Sequence, residues 1–212
     1  MLASINPLGE RARGNKWALT ALSYLAGSMM GGALVVGSAA AVGRAAAWLA
    51  GAHSLVALVS SGPGRGWAAE QPWMVPGLVG GLCLIAALAD ATAVPTIRRQ
   101  VNEDWLVRYR GWVYGVGFGL QLGSGVATTV TTASVYLMLL LSFLDGSPAG
   151  AVIGACFGAA RALPVLTTAR VTTPAALRAA HARLDARWGT ARRATVVALM
   201  LTALAVPVAA AL

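Results

Sequence analysis

The stretch Trp17–Gly43, WALTALSYLAGSMMGGALVVGSAAAVG, carries no charged side chain. A helix needs roughly 20 largely apolar residues to cross a bilayer, and this run exceeds that length. It does not stand alone. Further apolar stretches occupy Ala45–Ser60, Val75–Ile97, Trp112–Phe143, Pro148–Thr168 and Ala194–Leu212. Their apolar residues are continuous and do not alternate. In lipid a spanning segment must satisfy its own backbone hydrogen bonds, so the unbroken runs read as helices and not as barrel strands. The expected fold is an all-α polytopic transmembrane helix bundle of about six spans.

Composition agrees. The chain has 212 residues, 58% hydrophobic and 11% charged, against about 25% charged in a soluble domain. A soluble catalytic domain has no room, since the longest polar segment is Ala169–Arg193. The organisation expected is a polar N-terminal arm, 1–16, followed by one transmembrane domain, 17–212, with halves 17–97 and 112–212. The formal charge is +9. Because the cations sit in short loops between spans, they read as orientation signals in a lipid bilayer, and nucleic acid is not expected as a partner. The run from Trp17 is too long for the core of a signal peptide and other spans follow it, so none is expected.

Loop cations set the expected topology. Arg98, Arg99, Arg108 and Arg110 face Glu103 and Asp104 between the third and fourth stretches. Arg170, Arg178, Arg183, Arg187, Arg192 and Arg193 face Asp185 between the fifth and sixth. Both loops are expected inside and the C-terminus outside. If Ala45–Ser60 spans, there are six helices and the N-terminus is outside, against the preference of Arg11, Arg13 and Lys16. If it is re-entrant, there are five and the N-terminus is inside. Six is the preferred count.

A faint internal echo links Arg13-Gly14-Asn15-Lys16-Trp17, with Gly27-Ser28 further on, to Arg110-Gly111-Trp112, with Gly123-Ser124 further on. Three spans follow each start, which suggests a three-plus-three inverted repeat. Glycines recur at spacing four: Gly111, Gly115, Gly119 and Gly123 in the fourth stretch, then Gly146, Gly150, Gly154 and Gly158 in the fifth. Spacing four places them on one helix face, where small residues let backbones approach closely. They are the candidate packing residues, for a compact bundle or for a rocking surface.

Polar side chains within apolar runs are the candidate functional groups. Gln121, Ser124, Thr128 and Thr132 share one face of a continuous fourth helix, and with Ser28 of the first they are candidates for a substrate path; the structural alternative is hydroxyls bonded to their own helix. Asp90 and Arg161 fall within roughly 3 Å of the same depth at 1.5 Å rise per residue. They are expected to pair, as a lock or a gate, unless Arg161 reaches the headgroups. Cys83 and Cys156 show the same depth coincidence, giving a candidate redox pair or plain buried packing. Neither cysteine has metal-ligand spacing, His53 and His181 are isolated, and no motif for ATP, haem or nicotinamide is present, so no metal or cofactor is expected. Thr173-Pro174 starts a helix carrying Leu177, His181, Leu184 and Trp188 on one face, which Gly189 is expected to end. It reads as an interfacial helix or a solvated connector.

Tyr24-Leu25-Ala26-Gly27, Gly117-Phe118-Gly119-Leu120-Gln121-Leu122-Gly123, and the stretch from Gly146-Ser147-Pro148 to Arg161-Ala162-Leu163-Pro164 resemble the CcdA/DsbD transmembrane thiol carriers, within the LysE-like transporter superfamily. The resemblance implies six helices in inverted halves. It does not carry over the chemistry. Where that family keeps a Pro-Cys in helices one and four, this chain reads Gly31-Gly32-Ala33-Leu34-Val35 and Ser124-Gly125-Val126-Ala127, so the attacking thiolate is absent. The expected function is a non-enzymatic membrane protein of the bacterial cytoplasmic membrane that moves a small solute or ion. The alternatives are a non-catalytic subunit with a membrane-protein partner or a second copy, and a thiol carrier using Cys83 and Cys156.

Overall fold

The computed structural model describes residues 5–57, 73–92, 94 and 104–211. Among the described residues the regular elements are helices: α1 Pro7–Ala12, α2 Trp17–Leu49, α3 Met74–Ala91, α4 Trp105–Arg108, α5 Gly111–Gly123, α6 Ser134–Asp145, α7 Ala149–Ala162 and α8 Pro174–Ala211. A 3-10 segment, Leu163–Thr168, prolongs α7. Among the described residues four helical stretches are long and apolar enough to cross a membrane: Trp17–Leu49, Met74–Ala91, Ala149–Thr168 and Pro174–Ala210. The end of the second apolar stretch (58–60), Pro95, Ile97, Arg98, Arg99 and Glu103 lie outside the described residues.

Three expected elements are drawn differently. Ala45–Leu49, expected to open a second span, is the last part of α2. Nothing between Gly43 and Leu49 breaks a helix, and Ala45–Ala47 favour one strongly. The chain turns only at Gly51, whose φ is 73°. The fourth stretch is split, because α5 ends at Gly123 and α6 starts at Ser134. There the Ser124 hydroxyl donates to the Gln121 carbonyl (2.7 Å) and accepts from the Ala127 amide (3.1 Å). Gly125 takes φ 74°, and a β-branched, hydroxyl-rich run follows that competes for backbone groups. The separate interfacial helix does not form either. It is the first half of α8, capped by Thr173, which accepts from the Ala176 amide at 3.2 Å. Gly189 lies inside that helix, a position that costs only about 1 kcal/mol relative to Ala.

Two compact units are distinguished. The first comprises Met1–Val35, Ile97–Thr129 and Ala151–Trp188; the second comprises Val36–Thr96, Val130–Gly150 and Gly189–Leu212. The core of the first is Ile5, Ala21, Tyr24, Tyr114, Phe118, Ala162 and Val165, with Trp17, Leu25, Trp105, Leu106 and Leu122 against it. Its helices meet at backbone distance. A Cβ on Gly27 would strike the Val116 carbonyl, one on Gly31 the Leu120 carbonyl, one on Gly119 the Tyr24 carbonyl and one on Gly123 the Ser28 carbonyl. Residue numbers on α2 and α5 rise together across this seam, so the two helices run parallel. On the other side of α2, Gly158 abuts Ser28 and Gly32 abuts the Gly154 carbonyl. Here the numbers run in opposite senses, and α7 is antiparallel to α2.

The parallel seam corrects the inverted-repeat expectation. The echoed segments at Gly27-Ser28 and Gly123-Ser124 lie against each other and point the same way, whereas inverted halves would oppose them. The two glycine rows also differ in kind. Gly111–Gly123 stay on one helix face, but Gly146 precedes α7 and takes φ 65° as the left-handed cap of α6.

In the second unit, Gly43 sits against the Phe143 carbonyl, Gly146 against Arg44, and Gly150 against Ala40. Gly80 of α3 meets the Ala203 carbonyl and Pro207 of α8, and Cys83 of α3 is buried.

Candidate functional site

The N-terminal segment is folded onto the first unit and brings a buried acid with it. Asn6 caps α1, accepting from the Gly9 amide at 2.9 Å, with Pro7 at the first helical position. Gly14, at φ 72°, turns the chain after the helix. Ile5, Asn6 and Glu10 are buried, and Glu10 is 0% exposed. Its carboxyl group accepts from Arg13 Nη2 (2.6 Å), the Thr20 hydroxyl (2.8 Å) and the Tyr114 hydroxyl (2.6 Å to Oε2). Asn15 closes the ring, donating to the Tyr114 hydroxyl and accepting from the Gly111 amide, both at 3.3 Å. Burial pulls the Arg13 guanidinium down, but hydrogen bonds to Glu10 and Tyr114 raise it more, so it holds its proton more firmly than a free arginine. Thr168, at the end of the 3-10 segment, donates to the Val165 carbonyl at 2.7 Å and lies 3.4 Å from the Ile5 carbonyl, while the Ile5 side chain packs in the core with Ala162 and Val165. This network therefore ties α1 to the starts of α2 and α5, and Ile5 ties it to the end of α7. Of the candidate residues named from the sequence only Gly111, a packing residue, takes part, and it does so through its backbone amide. The Asn6-Pro7 start and the Gly14 stop were a readable helix signature; the partners of Glu10 lie up to 104 residues away and were not readable.

The path candidates are dispersed by the end of α5. Gln121 is on the helix, while Ser124, Thr128 and Thr132 lie beyond it and share no helix face. Ser28 is fully buried and donates to the Gly158 carbonyl at 2.7 Å, which makes it a helix-to-helix bond. Arg161 donates from Nη2 to the Thr128 hydroxyl at 3.4 Å and lies 5.5 Å from the Phe157 ring centroid. Its buried Nη1 has no hydrogen-bond partner.

Asp90, in the second unit, is 2% exposed. Oδ2 accepts from the Thr132 hydroxyl (2.6 Å) and Oδ1 from the Ala133 amide. Thr132 also bonds Ser134, hydroxyl to hydroxyl, at 2.9 Å. The carboxyl thus caps the start of α6, where unpaired amides and the helix dipole favour an acidic group. Arg192 supplies the opposite service to α3, donating to the carbonyls of Asp90 (2.7 Å) and Thr92 (3.1 Å). Asp90→Ala is expected to lower stability by about 2 kcal/mol, the usual penalty for orphaned buried donors. Asp90→Asn keeps an acceptor and is expected to recover half or more of the loss in the apparent unfolding midpoint. Equal losses in the two variants would rule the capping role out. Cys83 is buried in the second unit and Cys156 exposed in the first; both are free thiols.

These features describe a helical membrane protein whose polar groups mostly close contacts between helices. No protein-family model matches the chain, and no solved structure does. Methylamine utilization protein MauF of Paracoccus denitrificans is 30% identical over 190 residues, covering 70% of this chain and 68% of the relative. A match of that extent covers more than two thirds of each protein, and the chain belongs to the family of methylamine utilization protein MauF.

Proposed function

We propose that this chain is an integral membrane component of amine utilization, acting as a non-catalytic subunit or scaffold for a partner in that process. The observation that carries the reading is the likeness to MauF over two thirds of both chains. Carbonyl-deep contacts on both sides of α2 support it, because such seams favour a fixed scaffold over helices that slide. The location is the bacterial cytoplasmic membrane. The parallel seam supports five crossings: α2, α3, the broken α5–α6 pair, α7 and α8. The arm with Arg11, Arg13 and Lys16, the start of α5 beside Arg110, and the end of α7 before Arg170 then share the cytoplasmic side, as the positive-inside rule prefers. The C-terminus lies outside.

A second reading is favoured by one observation. The unpartnered Arg161 Nη1 beside the non-helical residues after Gly123 resembles the interrupted helices at which carriers bind solutes. Deletion of the gene in its host separates the two. Growth on methylamine is expected to fail, with the initial rate of labelled methylamine uptake unchanged. Uptake falling in step with growth would replace the scaffold with the carrier. Normal growth on methylamine would overturn the role in amine utilization.

A further inference from the structure

We infer that the groove between the 3-10 segment and the first half of α8 binds the phosphate of an anionic phospholipid. It holds about 160 Å³ and is lined by Thr167, Ala180, Arg183, Leu184 and Arg187. That is room for a phosphate group, several times the roughly 30 Å³ share of a liquid water. Three independent observations point to this occupant.

The first is depth. Thr167 lies on the last turn of the span Ala149–Thr168, which puts the groove at the end of a crossing, where headgroups are. The second is charge. Arg183 and Arg187 stand four residues apart on one helix, a spacing at which like charges repel. Among the described residues neither has a carboxylate within ion-pair distance. Arg183 uses its Nε on the Ala179 carbonyl at 3.2 Å, and its two terminal nitrogens remain for a ligand. An oxyanion between the two guanidinium groups removes the repulsion, and guanidinium is the side chain best shaped for phosphate. The third is the lining. Ala180 and Leu184 give the groove an apolar wall, which suits a lipid whose chains continue into the bilayer and not a free ion. The inference goes beyond the proposed role in amine utilization; only the choice of the cytoplasmic leaflet rests on the topology given there.

The test uses the full chain in detergent, with its apparent unfolding midpoint followed as lipid is added. Phosphatidylglycerol is expected to raise the midpoint by about 3–6 °C at roughly ten times its dissociation constant, and phosphatidylcholine is not. The double variant Arg183→Gln/Arg187→Gln is expected to lose most of the increment. Arg170→Gln/Arg178→Gln, with the same change in net charge outside the groove, is expected to keep it. Equal losses in the two double variants would show general charge attraction and overturn the site. An equal response to both lipids would do the same. Inorganic phosphate alone matching phosphatidylglycerol would make this an oxyanion site and overturn the lipid assignment. Should the groove variant not fold, native mass spectrometry of the wild-type protein decides: retained phosphatidylglycerol supports the site, and no retained anionic lipid overturns it.

Discussion

Gly123→Ala is expected to destroy the packing of α2 on α5, although alanine is the better helix former by about 1 kcal/mol. The added methyl has no empty direction to enter. It would meet the Ser28 carbonyl oxygen, carbonyl carbon and Cα, all of them backbone atoms that no rotamer change can move. The helices would have to separate along a seam that also contains Gly27, Gly31 and Gly119, and each would lose the contacts that close approach provides. Overpacking an ordinary core costs about 1–3 kcal/mol; a backbone-on-backbone clash belongs at or above the top of that range. The expected readout is a collapse of the monodisperse peak of a fluorescent fusion on size exclusion. Gly81→Ala and Gly189→Ala are the controls, since a Cβ at either position meets nothing within 4 Å. Both are expected to match or exceed the wild-type yield. A Gly123→Ala peak like theirs would mean that the seam is not this tight.

Glu10→Ala is expected to cost about 3–5 kcal/mol, the loss usual when one partner of a buried charged pair is removed. The reason is what remains. Arg13, Thr20 and Tyr114 all direct donors at the missing carboxyl, and the Tyr114 side chain is 0% exposed, so water does not reach it. Glu10→Gln keeps the shape but offers an amide to donors, and is expected to fall between wild type and Ala. Because the network joins α1 to α2 and α5, limited proteolysis should cut the Ala variant within the first 16 residues well before the wild type. Unchanged resistance there, with an unchanged unfolding midpoint, would exclude an anchoring role for the network.

Part of the architecture was legible in local sequence. Trp17–Gly43 reads as a membrane helix from its lack of charge, and α2 contains it whole. Val75–Ile97 and Pro148–Thr168 likewise overlap the helices Met74–Ala91 and Ala149–Thr168, each long and apolar enough to cross a membrane. Element ends were less readable. Ala45–Leu49 continues α2 because the expected break carried no breaker, whereas the Ser124-Gly125 break lay hidden inside an apolar run. Hydropathy measures transfer into lipid, and it does not register backbone competition from hydroxyls.

The candidate site was hardly legible. Glu10 is one charge in a short polar arm, and its importance comes from Tyr114, which is 104 residues away. Asp90 was visible as a charge in an apolar run, but its role as the cap of α6 depends on a helix start that hydropathy did not place. The sequence by itself determined that this chain is helical and lives in a membrane, because burying backbone amides in lipid is a local demand that each run of residues meets alone. Only the tertiary structure decided that α2 and α5 run parallel, that glycine carbonyl contacts set their spacing, and that an N-terminal carboxyl is sealed between them. Those outcomes depend on which faces meet, and a face acquires its partner only when distant segments pack.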